Sequence, residues 1–270
     1  MKSYGINKSV TVTTKEELHL EEFHNLGFTI IENVITAAEL IELRKKLNNM
    51  YTIQENEFGK ENLKLINEEN LARIPLAYSE LYVQLASKKE MMGYVEKILG
   101  NFYVLHLQNG IINMPSEEHH QSSWHRDLPY QNWTSSEPLA CNVYYCLDDF
   151  NNETGATFVL PYSHQFNAAP SAHYVEQHAV QVQAPAGSVI LFNSMLFHKA
   201  GYNKSRDKIR RGVNHLYVKP IIAQQINIPA FLKGKYSDDA FLKMLFGYQT
   251  QLSESVNDYR KGRLNKQKQK

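Results

Sequence analysis

The residues predict a mainly β chain with flanking α-helices, folded as a double-stranded β-helix or jelly roll. Three observations carry this. Amphipathic helical patterns opened by capping-box residues occupy the first part of the chain. From Phe102 onward β-branched and aromatic runs take over, separated by Pro115, Gly155, Pro170 and Gly187. Many short strands behind a helical preface suit a double-sheet jelly roll, whose mouth can hold a metal and a small ligand.

The elements follow in order. Thr14 with Glu17 and Thr36 with Glu39 each fit the capping box, and Leu40, Leu43, Leu47 and Met50 follow the second at helical spacing. Between residues 51 and 70 the chain is polar, with Gly59 at its centre, and reads as a loop or weak lid. Ser87 with Glu90 opens another helix, with Met91, Tyr94, Val95 and Ile98 on one side and Gly100 as its stop. Strand patterns then run through LHLQNGIIN, LACNVYYCLDDF, GSVILFN and the alternating segment after Arg210. We expect one domain over residues 1–270, with a helical part at about 13–100, a jelly-roll core at about 102–220 and a helical extension at about 221–270.

Composition narrows the function classes. A formal net charge of +1 over 270 residues, without aromatics interleaved in a basic stripe, offers no case for nucleic acid as a partner. No apolar run approaches the roughly 20 residues that span a bilayer, and MKSYGINKSVTV has no apolar core of a secretory signal. A cytoplasmic protein acting on a small molecule is the expectation. Cys141 and Cys146 fall on opposite faces of one strand and read as reduced core thiols.

The chemistry concentrates at His125, Asp127 and His198. In SSWHRDLPY the histidine and aspartate are two apart, so an extended strand turns both to one side and Arg126 to the other. His198 follows the buried run at residues 188–193 on a second strand. Two imidazoles and a carboxylate can occupy one face of a six-coordinate Fe(II), leaving three positions for a co-substrate and dioxygen. An isolated His-x-Asp is also what a chain with 11 histidines produces by chance. Arg210 shifts the balance, because an arginine held inside a barrel matches a carboxylate with its planar fork.

Together with Trp124, GATFVLPYSH at 155–164, GFTIIENVITAAEL at 27–40 and the segments at 139–150 and 245–264, these residues resemble the phytanoyl-CoA dioxygenase family of Fe(II)/2-oxoglutarate oxygenases. The resemblance implies a cupin-like jelly roll. It implies that His125, Asp127 and His198 hold iron, that Arg210 binds the distal carboxylate of 2-oxoglutarate, and that O2 is the second co-substrate. Gln108 matches a position where some relatives place an amide near the co-substrate; a solvent-facing polar strand residue is the other reading. Ala200 stands where relatives often carry a hydroxyl. Arg211 is adjacent to Arg210, and strand alternation allows only one of them to point inward; the family phase favours Arg210. Halogenating relatives lack the carboxylate, so Asp127 implies hydroxylation or a related oxidation.

Tyr130, Trp133 and Tyr162 are the expected substrate contacts, each with a packing role as the alternative. The pair His119 and His120 could form an accessory metal patch, with an exposed polar loop as the plainer reading. No basic cluster suits a coenzyme A diphosphate, and a small metabolite such as an amino acid derivative is the expected substrate. Two other functions use the same scaffold: an inactive jelly roll that binds a small acid, and a zinc hydrolase with the same ligands. Neither explains the ligand set and Arg210 together.

Overall fold

The computed structural model describes residues 4–5, 10–117, 119 and 121–268. Helix α1 (Lys15–Leu26) begins at Thr14, whose side chain accepts from the Glu17 amide while Glu17 reaches back, and it stops at Gly27 in a left-handed conformation. Strand β1 (Phe28–Ile31) follows, then α2 (Ala37–Phe58), capped by Thr36 and Glu39 in the same way. Leu40, Leu43, Leu47 and Met50 form the buried stripe of α2. The helix runs seven residues beyond the expected polar boundary at 51, and α3 (Lys60–Leu65) continues after Gly59. Glutamine and glutamate support an exposed helix, so polarity alone did not mark a loop.

Strand β2 (Leu71–Arg73), α4 (Glu80–Ala86) and α5 (Lys89–Leu99) complete the preface. Ser87 does not cap α5; its hydroxyl donates back to the Val83 carbonyl of α4. The remaining strands are β3 (Val104–Asn113), β4 (Ala140–Cys146), β5 (Phe158–Val159), β6 (Val180–Gln181), β7 (Val189–Asn193), β8 (His198–Lys199) and β9 (Arg210–Val218). Helix α6 (Ala172–His178) lies between β5 and β6, and α7 (Ile228–Leu232), α8 (Ala240–Leu245) and α9 (Val256–Lys268) close the chain.

An antiparallel six-stranded sheet runs β1-β7-β4-β9-β3-β2, and a three-stranded sheet runs β6-β5-β8. This is the double-stranded β-helix expected, with helices on the outer face of the larger sheet. Because both faces of that sheet are covered, β4 and β7 are buried at every position. Outward residues such as Val143, Leu191 and Tyr217 pack with Leu43, Leu47 and Met91 in the helical core, while Tyr144, Ile190 and Phe192 pack inward with Phe150 and Val159. Tyr145 and Tyr217 also donate their hydroxyls to the Leu85 and Ala86 carbonyls at the end of α4, groups that a helix terminus leaves without an internal partner. The two cysteines are free and buried, Cys141 in the outer core and Cys146 in the inner one. Among the described residues no helix is long and apolar enough to cross a membrane.

Candidate metal centre and co-substrate cavity

The His-x-Asp segment is not a strand, as the alternation suggested, but a loop pinned at two places. His125 and His198 form an antiparallel bridge, with N–H to carbonyl distances of 3.0 and 3.1 Å, and the Asp127 amide donates to the Ser194 carbonyl at 3.1 Å. Pro129 has no N–H to continue a ladder. The expected facing nevertheless holds: Arg126 turns away, stacks over Phe197 at 4.3 Å and donates to the Ser163 and Phe166 carbonyls. This anchors the loop from behind.

His125, Asp127 and His198 converge so that one potential donor atom from each lies within 4.8 Å of the others. Asp127 Oδ1 is 3.8 Å from His125 Nε2 and 3.6 Å from His198 Nε2. The opposite ring nitrogens are engaged by backbone carbonyls, His125 Nδ1 by Ser123 at 2.8 Å and His198 Nδ1 by Leu196 at 3.0 Å. That arrangement puts the proton on Nδ1 and leaves each Nε2 lone pair for a metal. Burial pushes the His198 pKa down to about 4, against the opposing pull of Asp127, so its ring is neutral at pH 7. Donors each held about 2.1 Å from one ion are separated by roughly 3–4 Å, and the two histidine–carboxylate distances fit that range.

Residues not singled out in the sequence orient the carboxylate. Asn142 Nδ2 donates to Asp127 Oδ2 at 2.5 Å and to Asn214 Oδ1 at 3.1 Å, while Asn142 Oδ1 accepts from Ser194 Oγ at 2.7 Å. The signal available was an asparagine inside an apolar strand, in CNVYYC and again in GVNHLY, where a buried amide demands partners.

Arg210 shares a cavity with the three residues, lined also by Ile111, Tyr144, Phe192 and Ala200. It is 1% exposed, stacks its guanidinium over Phe150 at 4.5 Å, and donates Nη1 to Tyr144 Oη at 3.2 Å. Its Nε has no partner, and among the described residues no carboxylate lies within ion-pair distance of it. Arg211 faces the other way, paired with Asp148 at 2.9 Å and bonded to Asn48. Of the two adjacent arginines, Arg210 is the inward one.

Gln108 is corrected on both of its readings. It is fully buried and faces the helices: Oε1 accepts from the Leu76 amide at 2.6 Å, and Nε2 donates to the Tyr82 carbonyl at 2.9 Å and meets His215 Nε2 at 2.6 Å. It lies in register with His215, on the opposite face from Arg210. Tyr130 and Trp133 line a second cavity that Asp127 borders, of about 630 Å³. Tyr162 is half exposed and is not among the residues lining it. Lys199 and Lys204 border a different cavity, on the side of Ala200. His119 is buried, and His120 lies outside the described residues, as does Glu118.

Comparison with known proteins agrees with this architecture. The family model described as phytanoyl-CoA dioxygenase (PhyH) matches residues 23–212. An uncharacterized protein of Mycobacterium tuberculosis, Rv1501, is 31% identical over 245 residues, covering 87% of both chains. The ectoine dioxygenase of Nocardia farcinica is 24% identical over 225 residues, covering 69% of this chain and 74% of its own. Among solved structures, HygX from Streptomyces hygroscopicus, with nickel and 2-oxoglutarate bound, superposes with a TM-score of 0.58 at 16% identity, covering 81% of this chain and 92% of its own. The epimerase SnoN, in complex with Fe3+, alpha ketoglutarate and nogalamycin RO, gives 0.58 at 18% identity, covering 76% and 84%.

Proposed function

The chain belongs to the phytanoyl-CoA dioxygenase family, whose members use Fe(II), 2-oxoglutarate and O2, and we propose that it hydroxylates an unactivated C–H bond of a small-molecule metabolite, releasing succinate and CO2. The observation that supports this reading is the juxtaposition of two imidazoles and a carboxylate with a buried arginine that has no acidic partner among the described residues, all on one cavity. An uncompensated buried cation is costly, and a dicarboxylate co-substrate would relieve that cost.

In this reading His125, Asp127 and His198 hold the metal, and Arg210 takes the distal carboxylate of 2-oxoglutarate with Tyr144 beside it. When bound, the metal and the 2-oxo acid supply the oxidising chemistry. The chain's own contribution is positioning. Asn142 keeps one carboxylate oxygen of Asp127 engaged so that the other is presented to the metal. Phe192 lines the cavity beside His198 and Phe150 covers the Arg210 guanidinium, and exclusion of water there strengthens every charge interaction inside. Tyr130 and Trp133 meet the substrate from the neighbouring cavity. A zinc hydrolase with the same ligands leaves Arg210 without a task.

The test is anaerobic titration of the purified protein with Fe(II) and 2-oxoglutarate, followed optically for the weak visible charge-transfer band of the chelated complex. Its appearance, then succinate release in air and a substrate-dependent product heavier by one oxygen, is the expected outcome. Absence of the band in folded protein would overturn the oxygenase reading. A product of unchanged mass but altered stereochemistry would keep the cofactors and replace hydroxylation with epimerisation, the activity named for SnoN.

A further inference from the structure

The cavity beside Asp127 has a chemistry of its own. Among the described residues that line it, only Asp127 carries a charge. Its walls are Leu107, Leu128, Pro129, Trp133, Leu139 and Ile222, with Tyr130 and Ile221 at the rim. Its volume of about 630 Å³ falls within the roughly 300–1,000 Å³ typical of sites that enclose a drug-sized ligand. Trp133, Tyr130 and Ile221 are 53%, 57% and 79% exposed, and large apolar side chains left in water around one opening mark a binding surface.

Three amide or imidazole side chains interrupt this apolar wall: Gln225 is exposed and accepts from Arg73 at 3.4 Å, while Gln131 and His106 are each more than nine-tenths buried with an atom that lacks a partner among the described residues. Gln131 donates Nε2 to the Trp133 carbonyl at 3.0 Å, which orients the amide and leaves Oε1 without a donor. His106 sits at the bulge in β3 between Leu105 and Leu107; its ring interacts with the Ala223 backbone, and its Nδ1 makes no hydrogen bond among the described residues. Buried polar atoms are almost always hydrogen-bonded, so two orphans on the lining of one cavity point to a ligand that completes them.

We infer that the substrate is an uncharged, largely apolar molecule of drug-like size carrying a hydroxyl that hydrogen-bonds at Gln131 and His106, and that it is neither an amino acid derivative nor a coenzyme A thioester. Among the described residues no lysine or arginine lines the cavity to balance a carboxylate or a diphosphate. Burial holds the His106 ring neutral, so it adds no positive charge. The inference rests on the oxygenase reading, because it takes this cavity as the route by which the reacting carbon reaches the metal at Asp127.

The test is binding of two probe panels to the protein with Fe(II) and 2-oxoglutarate under anaerobic conditions. One panel holds neutral steroid and flavonoid alcohols with their hydroxyl-free counterparts; the other holds acyl-coenzyme A thioesters and N-acyl amino acids. Quenching of Trp133 emission is the readout, with Trp133→Phe removing it, since Trp124 is the only other tryptophan. Neutral alcohols should bind, and the anionic panel should not. Gln131→Leu should weaken the alcohols about tenfold and leave their hydroxyl-free counterparts unchanged, as loss of one buried hydrogen bond predicts. Tighter binding of the anionic panel to the unaltered protein, no binding by any neutral probe, or an equal effect of Gln131→Leu on both neutral sets would overturn the inference. Failure of the oxygenase reading is seen separately, as absence of the co-substrate band, and the same probe measurements remain readable without the metal.

Discussion

Replacing Arg210 by methionine separates ligand binding from folding, and the two effects have opposite signs. The guanidinium is 1% exposed, with one hydrogen bond to Tyr144, a stacking contact on Phe150 and no acidic partner. Without ligand, methionine removes a buried charge that nothing compensates, so the melting temperature should be equal to or above that of the unaltered protein. With ligand the sign reverses. Truncating one member of a buried, hydrogen-bonded charge pair costs about 2–5 kcal/mol, so 2-oxoglutarate affinity should fall roughly 30- to 4,000-fold. The assay is anaerobic calorimetry with Fe(II), with and without 2-oxoglutarate. At a hundredfold excess over Kd the co-substrate should stabilise the unaltered protein by about 2.7 kcal/mol, a rise of roughly 5–11 °C for a chain of this size. Arg210→Met should show no such rise, and Arg211→Met, which cuts an outward ion pair with Asp148, should keep it. A full ligand-induced rise in Arg210→Met, or its loss in Arg211→Met alone, would refute the assignment.

Three further outcomes are expected. His125→Ala and His198→Ala should abolish stoichiometric Fe(II) binding, read by metal analysis after desalting, because two remaining donors do not make a facial site. Asn142→Ala should retain the ligands but weaken metal binding roughly 10- to 100-fold, since Asp127 loses the partner that orients it; an unchanged isotherm would remove Asn142 from the site. The third concerns pH. Burial depresses the His215 pKa from 6.5 to about 3. The unfolded chain therefore takes up a proton below pH 6.5 that the folded chain refuses, and the stability present above 6.5 is lost as pH falls toward 3. The slope is about 1.4 kcal/mol per pH unit for this group. Urea midpoints at pH 7 and 5.5 should show the loss, and His215→Gln should remove this histidine's share of the slope, leaving that of the other buried histidines such as His198.

Much of the site was legible because its signals are short-range or compositional. The capping boxes at Thr14 and Thr36 lie within one helical turn, so four residues suffice to state them. The opposed facing of Arg126 and the two ligands, and of Arg210 and Arg211, follows from a period of two, although the first pair turned out to sit on a pinned loop. Gln108 was misread because β3 is buried on both faces: its period-two signal is erased, and nothing local says which way an amide in LHLQNGIIN points. Tyr162 illustrates a different limit. It sits at a positive φ of 68° in a tight turn beside a segment rich in family-like residues, and proximity in sequence to a motif did not carry it to the cavity.

The sequence by itself determined the ligand types, the start of the first helices, the strand-rich core and the need for a buried arginine to find an anion, since each depends on residue chemistry or spacing over a few positions. The tertiary structure alone decided that Asn142 and Ser194 brace Asp127, that Gln108 serves the helices, and that Leu128, Trp133 and Ile222 enclose one uncharged cavity with Gln131 and His106. Those meetings join positions as far apart in the chain as His106 and Ile222. They are set by the antiparallel register of β4, β7, β9 and β3, where a slip of one residue would turn every side chain to the other face.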